Sequence, residues 1–262
     1  MRKRALGWAA ALAVVALAAG AWLSDTPSAV ACSCARPESQ LWSPLDKQQA
    51  PLNASITLAL STRTSGKLVL RPIGGEAVPY SEVRMPAGWQ QIAVLTPKKP
   101  LQPDTRYEVA FVERPDHPRT LIFGTFKTGT HSDDKAPDLA PPKRAVFHDE
   151  TVARGTSCQS HERWIDIELP AAKDERDGRV LYGLWVADKQ GKLDLKAPPL
   201  VLEPRRDNAD KLTFGATSMC FPRKLQLPAG PRRLPIAVAA FDNAGHRSAV
   251  HRTWVQVPKG QP

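Results

Sequence analysis

The sequence predicts an all-β protein: two tandem antiparallel β-sandwiches behind a cleaved signal peptide. Three observations carry this expectation. Proline occurs 25 times in 262 residues, close to double the usual share of roughly 5%. It is scattered, so few windows remain for a helix, where each interior proline costs about 3 kcal/mol. Apolar residues alternate with polar ones over short runs, the period of a strand with one buried face. Clusters of glycine, proline, asparagine and aspartate separate those runs. At 42% hydrophobic residues the chain has material for cores, which excludes wholesale disorder. Its length suits one or two domains.

Residues 1–31 read as a secretory signal. Arg2, Lys3 and Arg4 give a positive start, and an apolar run follows from Ala5 to Leu23. A polar stretch with Pro27 leads to Ala29-Val30-Ala31, the small residues a signal peptidase requires. The competing reading is a membrane anchor, but the run is alanine-rich, only weakly hydrophobic, and ends at a small-x-small site. Cleavage would make Cys32 the first mature residue, so a lipid anchor at Cys32 is the minority alternative. Against it, Ala29-Val30-Ala31 only partly matches a lipobox, and a polar gap precedes the cysteine. Residues 32–48 carry a Cys-Ser-Cys motif; Leu41 and Trp42 are expected to pack along the first domain, the other outcome being a flexible segment.

The first sandwich is expected over residues 49–130. Ile56, Leu58 and Leu60 alternate with Ser55, Thr57 and Ala59, the pattern of a half-buried strand. Leu68 and Leu70 repeat it, Ile92 and Val94 form a third strand, and Tyr107, Val109 and Phe111 a fourth. Leu121 to Phe126 closes the set. Ser65-Gly66, Gly74-Gly75, Pro86-Ala87-Gly88 and Pro103-Asp104 mark the turns. Three segments are specific in combination: Pro51-Leu52-Asn53-Ala54 before the first strand, Pro100-Leu101-Gln102-Pro103-Asp104-Thr105-Arg106-Tyr107, and Gly124-Thr125-Phe126-Lys127-Thr128-Gly129. Together they resemble the bacterial Ig-like domain of S-layer type, with Leu60 where that family commonly has phenylalanine. The resemblance implies an Ig-like sandwich serving as a structural or interaction module, and it transfers no catalytic residue.

Residues 131–143, rich in proline and charge, read as a short, fairly stiff linker. The second sandwich is expected over 144–258, with a tail at 259–262. Ile165, Ile167 and Leu169 alternate with Trp164, Asp166 and Glu168, and Val180 to Ala187 is a nearly continuous apolar run suited to burial on both faces. Leu200 to Leu202, Leu225 to Leu227, Leu234 to Phe241 and Val250 to Val257 complete the set. Asp242-Asn243-Ala244-Gly245 is a hairpin signal between the last two. The stretch from Ala240 to Ala249 resembles the final hairpin of Ig-like or fibronectin type III-like modules, with His246 where asparagine is common.

Export places the four cysteines in an oxidising compartment. The economical pairing is Cys158 with Cys220, closing a loop of about 60 residues worth on the order of 4 kcal/mol. Cys32 with Cys34 would form a tight ring, and cross-pairing of these with the later cysteines is the other possibility. A metal site from Cys158, His161 and Cys220 lacks a fourth ligand, and none is expected.

No reactive constellation stands out. G-x-S-x-G, H-E-x-x-H, the P-loop and G-x-G-x-x-G are absent. His246 and His251 lie an odd number of residues apart, which on a strand sets them on opposite faces. Asp174, Glu175 and Asp177 lack the spacing of a calcium loop. No catalytic residue and no cofactor is therefore expected. Trp89, in the loop after Pro86-Ala87-Gly88, is the candidate ligand contact, with Trp185 behind it.

The formal charge of +10 becomes +8 once residues 1–31 are removed, and it divides between the two halves without concentrating. Nucleic acid is not an expected partner, since the basic residues form pairs such as Lys98-Lys99 and Arg205-Arg206. An anionic envelope polymer or another exported protein fits better. The expectation is an exported, periplasmic, cell-surface or secreted, non-enzymatic protein for envelope structure, adhesion or ligand binding. The alternative is a polysaccharide-binding accessory or hydrolytic role.

Overall fold

The computed structural model describes residues 38–45, 49–61, 66–87, 90–112, 120–154, 158–175, 179–204, 211–215 and 233–257, with backbone only at 86–87, 152–154 and 158–161. All regular structure among them is β. Among the described residues no helix is long and apolar enough to cross a membrane.

The first sandwich uses β1 (Gln40–Ser43), β2 (Gln49–Ala50), β3 (Ile56–Ser61), β4 (Lys67–Pro72), β5 (Tyr80–Ala87), β6 (Gln90–Pro97), β7 (Arg106–Val112) and β8 (Thr120–Thr128). One sheet has the order β1-β3-β6-β5, the other β2-β8-β7-β4. All pairs are antiparallel except β2 with β8. Taken in chain order from β3, with β1 as the first strand, this is the immunoglobulin arrangement of four strands facing three; the opening strand switches sheets as β2. Ile56, Leu58 and Leu60 of β3 point inward to meet Leu68, Leu70, Tyr107, Val109, Phe111 and Phe126 from the opposite sheet. Each such side chain contributes about 1.5–3 kcal/mol by burial. Tyr107, at the start of β7, stacks on Phe126 with centroids 5.6 Å apart. Its hydroxyl accepts from the Gln102 amide at 2.9 Å, the tyrosine corner of such sandwiches.

The second sandwich uses β9 (Arg144–Arg154), β10 (Cys158–Glu168), β11 (Leu181–Val186), β12 (Val201–Pro204), β13 (Lys211–Phe214), β14 (Arg233–Phe241) and β15 (His251–Gln256). Its sheets are β13-β10-β9 and β12-β11-β14-β15, antiparallel throughout. Ile165, Ile167, Leu212 and Phe214 on one side pack on Tyr182, Leu184, Ile236, Val238 and Val255 on the other. As its nearly continuous apolar run predicts, β11 is buried on both faces.

The expectation for β3 needs correction: it is buried on both faces, not one. Thr57 and Ala59, on the outward face, are 4% and 0% exposed. The reason is an apolar patch joining the sandwiches, made by Trp42, Ala59, Met85 and Ile92 with Leu181 and Leu202. Trp42 thus packs in the joint, and Leu41 packs against the first core.

The Asp242-Asn243-Ala244-Gly245 turn completes this joint. The Asn243 carbonyl accepts from the Ser55 amide at 2.7 Å. Its side-chain oxygen accepts from the Ser43 hydroxyl, and the Ser55 hydroxyl donates to the Ala244 carbonyl at 3.3 Å. Arg179 donates to the Trp42 carbonyl at 3.2 Å. The turn is held from within by Asp242, whose Oδ1 accepts from the amides of Ala244 at 2.8 Å and His246 at 2.9 Å. Residues 131–143 are stitched to both sides. Asn53 exchanges two hydrogen bonds with the Asp133 backbone, Asp138 bridges Lys173, and Leu139 enters the second core.

Candidate functional site

The sheets of the second sandwich leave a groove where β9 and β15 run at their edges. Among the described residues β9 pairs only with β10, and β15 only with β14. Between them lies a groove of about 520 Å³, walled by Lys143 to Phe147 on one side and Thr253, Trp254 and Gln256 on the other. The alternation of β15 builds its far wall. Val255 points into the core, so Arg252, Trp254 and Gln256 share the outward face. Trp254 is 46% exposed, unusual for so large an apolar side chain.

Arg233 begins β14 opposite Gln256. Its guanidinium carbon lies 3.7 Å from the centre of the Trp254 ring. Such a stack is worth about 0.5–1 kcal/mol at an exposed site, and it fixes a cation beside the groove. Lys143 and Arg144 are exposed on the near wall. Lys143 Nζ is 4.0 Å from Glu168 Oε1, and among the described residues no carboxylate lines the groove. The arrangement offers an aromatic ring, an apolar floor of Ala145 and Phe147, and several cations, which suits an anionic ligand with an apolar face.

A second cluster sits on the outward face of β9, β10 and β13. His148 stacks on Trp164, centroids 4.6 Å apart and rings 6° from parallel. Its Nδ1 is 3.4 Å from Glu150 and its Nε2 3.2 Å from Asp166. Asp166 also accepts from Lys211 and Thr213, both at 2.7 Å. Burial pushes its carboxyl up, but the hydrogen bonds from Lys211 and Thr213 outweigh this and hold it below the usual carboxylate range. The Thr213 hydroxyl donates to Asp166 and not to His148, so the pair does not form a nucleophile–base–carboxylate relay.

Trp185, the second sequence candidate, is corrected: it is 4% exposed. Its indole N–H donates to the Ala197 carbonyl at 2.9 Å, and Phe241 packs 6.1 Å away. Trp89, Cys32, Cys34 and Cys220 lie outside the described residues, as do the signal segment 1–31, the strand expected at Leu225 to Leu227 and the tail at 259–262. Cys158 opens β10 opposite Arg154, with its side chain outside them. His246 and His251 do not meet: His246 Nδ1 is 3.3 Å from Asp242, and His251 Nε2 donates to the Leu139 carbonyl at 2.6 Å. The sequence reading missed Trp254. The usable signal was its place in step with Arg252 and Gln256, which set it on the polar face of its strand.

No protein-family model matches the chain, and neither does any curated protein. Among solved structures it is similar to the fibronectin(III)-like modules of Clostridium thermocellum CbhA, at 14% identity over 84% of this chain and 93% of that one, TM-score 0.28. It is similar to the tandem Ig repeats of Dlar, at 13% identity over 84% and 98%, TM-score 0.27. It is also similar to the D1-D2 structure of Rst, at 11% identity over 85% and 100%, TM-score 0.24. With TM-scores this low, the fold rests on the strand pairings themselves. Those pairings make the chain an all-β protein of two tandem, immunoglobulin-like antiparallel sandwiches.

Proposed function

We propose that this chain is an exported, non-enzymatic protein of the cell envelope that binds a partner as one rigid unit, its first sandwich of the S-layer Ig-like type. The observation that carries this is the joint. Trp42, Met85 and Ile92 packed on Leu181 and Leu202, with Asn243 bonded to Ser43 and Ser55, bury the surface between the sandwiches. A chain that spends its sheet face on holding two modules together is built as a scaffold presenting loops and edges. Export is supported by the signal features of residues 1–31, and the partner in this reading is an anionic envelope polymer or another exported protein.

The test is a pull-down from an envelope fraction with the mature chain, at low and high salt. Retention that weakens as salt rises is the expected result, because screening shortens the reach of a basic surface. A protein recovered wholly in the cytoplasm, or one retaining nothing from the envelope at either salt, would overturn the proposal. The accessory-role alternative draws support from the groove at Trp254, where a polysaccharide could lie.

A further inference from the structure

We infer that the groove between β9 and β15 is a binding site for an anionic polysaccharide, carboxylated or sulfated. This rests on the reading of the chain as an envelope-binding protein and names the site and ligand. The groove is only partly enclosed, and it is lined by five consecutive residues of one edge, Lys143 to Phe147. That shape admits a polymer lying lengthwise, not a compact molecule needing enclosure.

The chemistry of the walls selects among polymers. Trp254 supplies an aromatic ring and Ala145 and Phe147 an apolar floor, against which the C–H face of a sugar packs. Lys143 and Arg144 supply cations from one wall, the stacked Arg233 adds one beside the groove on the Trp254 ring, and Arg252 shares the outward face of β15 with Trp254. A planar guanidinium binds a carboxylate or sulfate through two parallel N–H donors, and holding Arg233 on the ring removes part of the ordering cost. Since no carboxylate is among the described residues that line the groove, charge complementarity favours a negative ligand over a neutral one.

The experiment measures binding of the mature protein to immobilised polygalacturonate, dextran sulfate and neutral dextran, with an envelope pull-down in parallel. Polygalacturonate and dextran sulfate separate carboxylate from sulfate recognition; neutral dextran is expected to bind neither wild type nor variants. Trp254→Ala is expected to weaken the preferred anionic polymer about tenfold. The pair Lys143→Gln and Arg144→Gln is expected to weaken it similarly and to flatten its salt dependence. The pair Lys98→Gln and Lys99→Gln makes the same charge change on the exposed surface of the first sandwich, and should change affinity by less than about twofold. Near-UV circular dichroism and thermal melting establish that each variant is folded, and Trp254→Phe keeps a ring if Trp254→Ala is not. Equal losses in both lysine-bearing pairs would reduce the effect to net charge and overturn the inference. So would neutral dextran binding as well as the anionic polymers, or poly-glutamate binding more tightly through the same residues. Envelope retention without polymer binding would sink the groove assignment alone; loss of both would sink the parent proposal too.

Discussion

The two sandwiches begin alike and then part. In the first, the strand after β4 crosses over, and β5 pairs with β6 in the sheet that holds β3. In the second, the strand after β11 stays home, and β12 pairs with β11 itself. The difference has a use. Crossing over carries Met85 of β5 to the outer face of the β1-β3-β6-β5 sheet. Staying puts Leu202 of β12 at the edge that meets it. Both belong to the apolar patch with Trp42, Ile92 and Leu181. The placement of one strand in each sandwich therefore decides that the modules join side against edge, and it explains why Thr57 and Ala59 lose contact with water.

The largest test of this comparison is cooperative unfolding. Leu58→Ala in the first core and Leu184→Ala in the second should each cost about 2–5 kcal/mol. If the patch couples the sandwiches, denaturant titration will show one transition that both substitutions shift. Two transitions, each moved by one substitution only, would break the comparison.

Glycines provide the next test. Gly74 and Gly245 both have positive φ, 76° and 84°. A Cβ on Gly74 would meet nothing within 4 Å, whereas one on Gly245 would lie 2.7 Å from Ser55 Oγ. Gly74→Ala should cost about 1–2 kcal/mol for the left-handed backbone. Gly245→Ala should cost at least about 1 kcal/mol more, as overpacked sites do. Equal melting shifts would mean the hairpin is not seated on the first sandwich.

Asn243→Ala removes a buried acceptor from Ser43 and should cost about 1–3 kcal/mol. A double-mutant cycle with Ser43→Ala should show non-additivity, which would vanish if the two side chains act separately.

The smallest effects are in pH dependence, and they have opposite signs. Burial raises the Asp242 carboxyl above the usual carboxylate range, aided by Asp133 and opposed by the donors of His246 and Ala244. A raised folded-state value adds stability that is complete below the unfolded value and lost as pH rises through the folded one. Wild type should therefore lose ground against Asp242→Asn as pH climbs from the acid range. Asp166 is lowered, so its contribution is present above the unfolded value and lost as pH falls through the folded one. Its advantage over Asp166→Asn should shrink in acid. Melting curves of both variants from strong acid to neutral pH check the two slopes.

Most of the strands were legible because one face of each is apolar: Ile56 to Leu60, Tyr107 to Phe111 and Ile165 to Leu169 announce themselves by alternation. Strands β1, β2, β5, β9 and β13 were not, the first two and the last being only two to four residues long. Ser81, Glu82, Val83 and Arg84 of β5 are all exposed, and β9 mixes His148, Asp149 and Glu150 with its apolar residues, so neither shows a clean period of two. Both are sheet edges, where backbone pairing does what side-chain burial does elsewhere. The joint was illegible for another reason. Ser43 and Asn243 are 200 residues apart, and no local pattern records such a meeting. Trp254 fell between the cases: its alternation was visible, but a tryptophan in a strand ordinarily reads as core.

The parallel pairing of β2 with β8 has a mechanical consequence. The ladder continues past the strands, from Gly129 to the Ala50 carbonyl at 2.8 Å and from Leu52 to the His131 carbonyl at 3.1 Å. After β1, the chain passes along β2 on its way into the first sandwich and leaves along β8, which runs in the same direction. Tension that draws entry and exit apart slides the two segments past each other and loads their bonds together. An antiparallel pair gripped at one end would instead open bond by bond. The first sandwich is thus fastened where force would reach it, in shear.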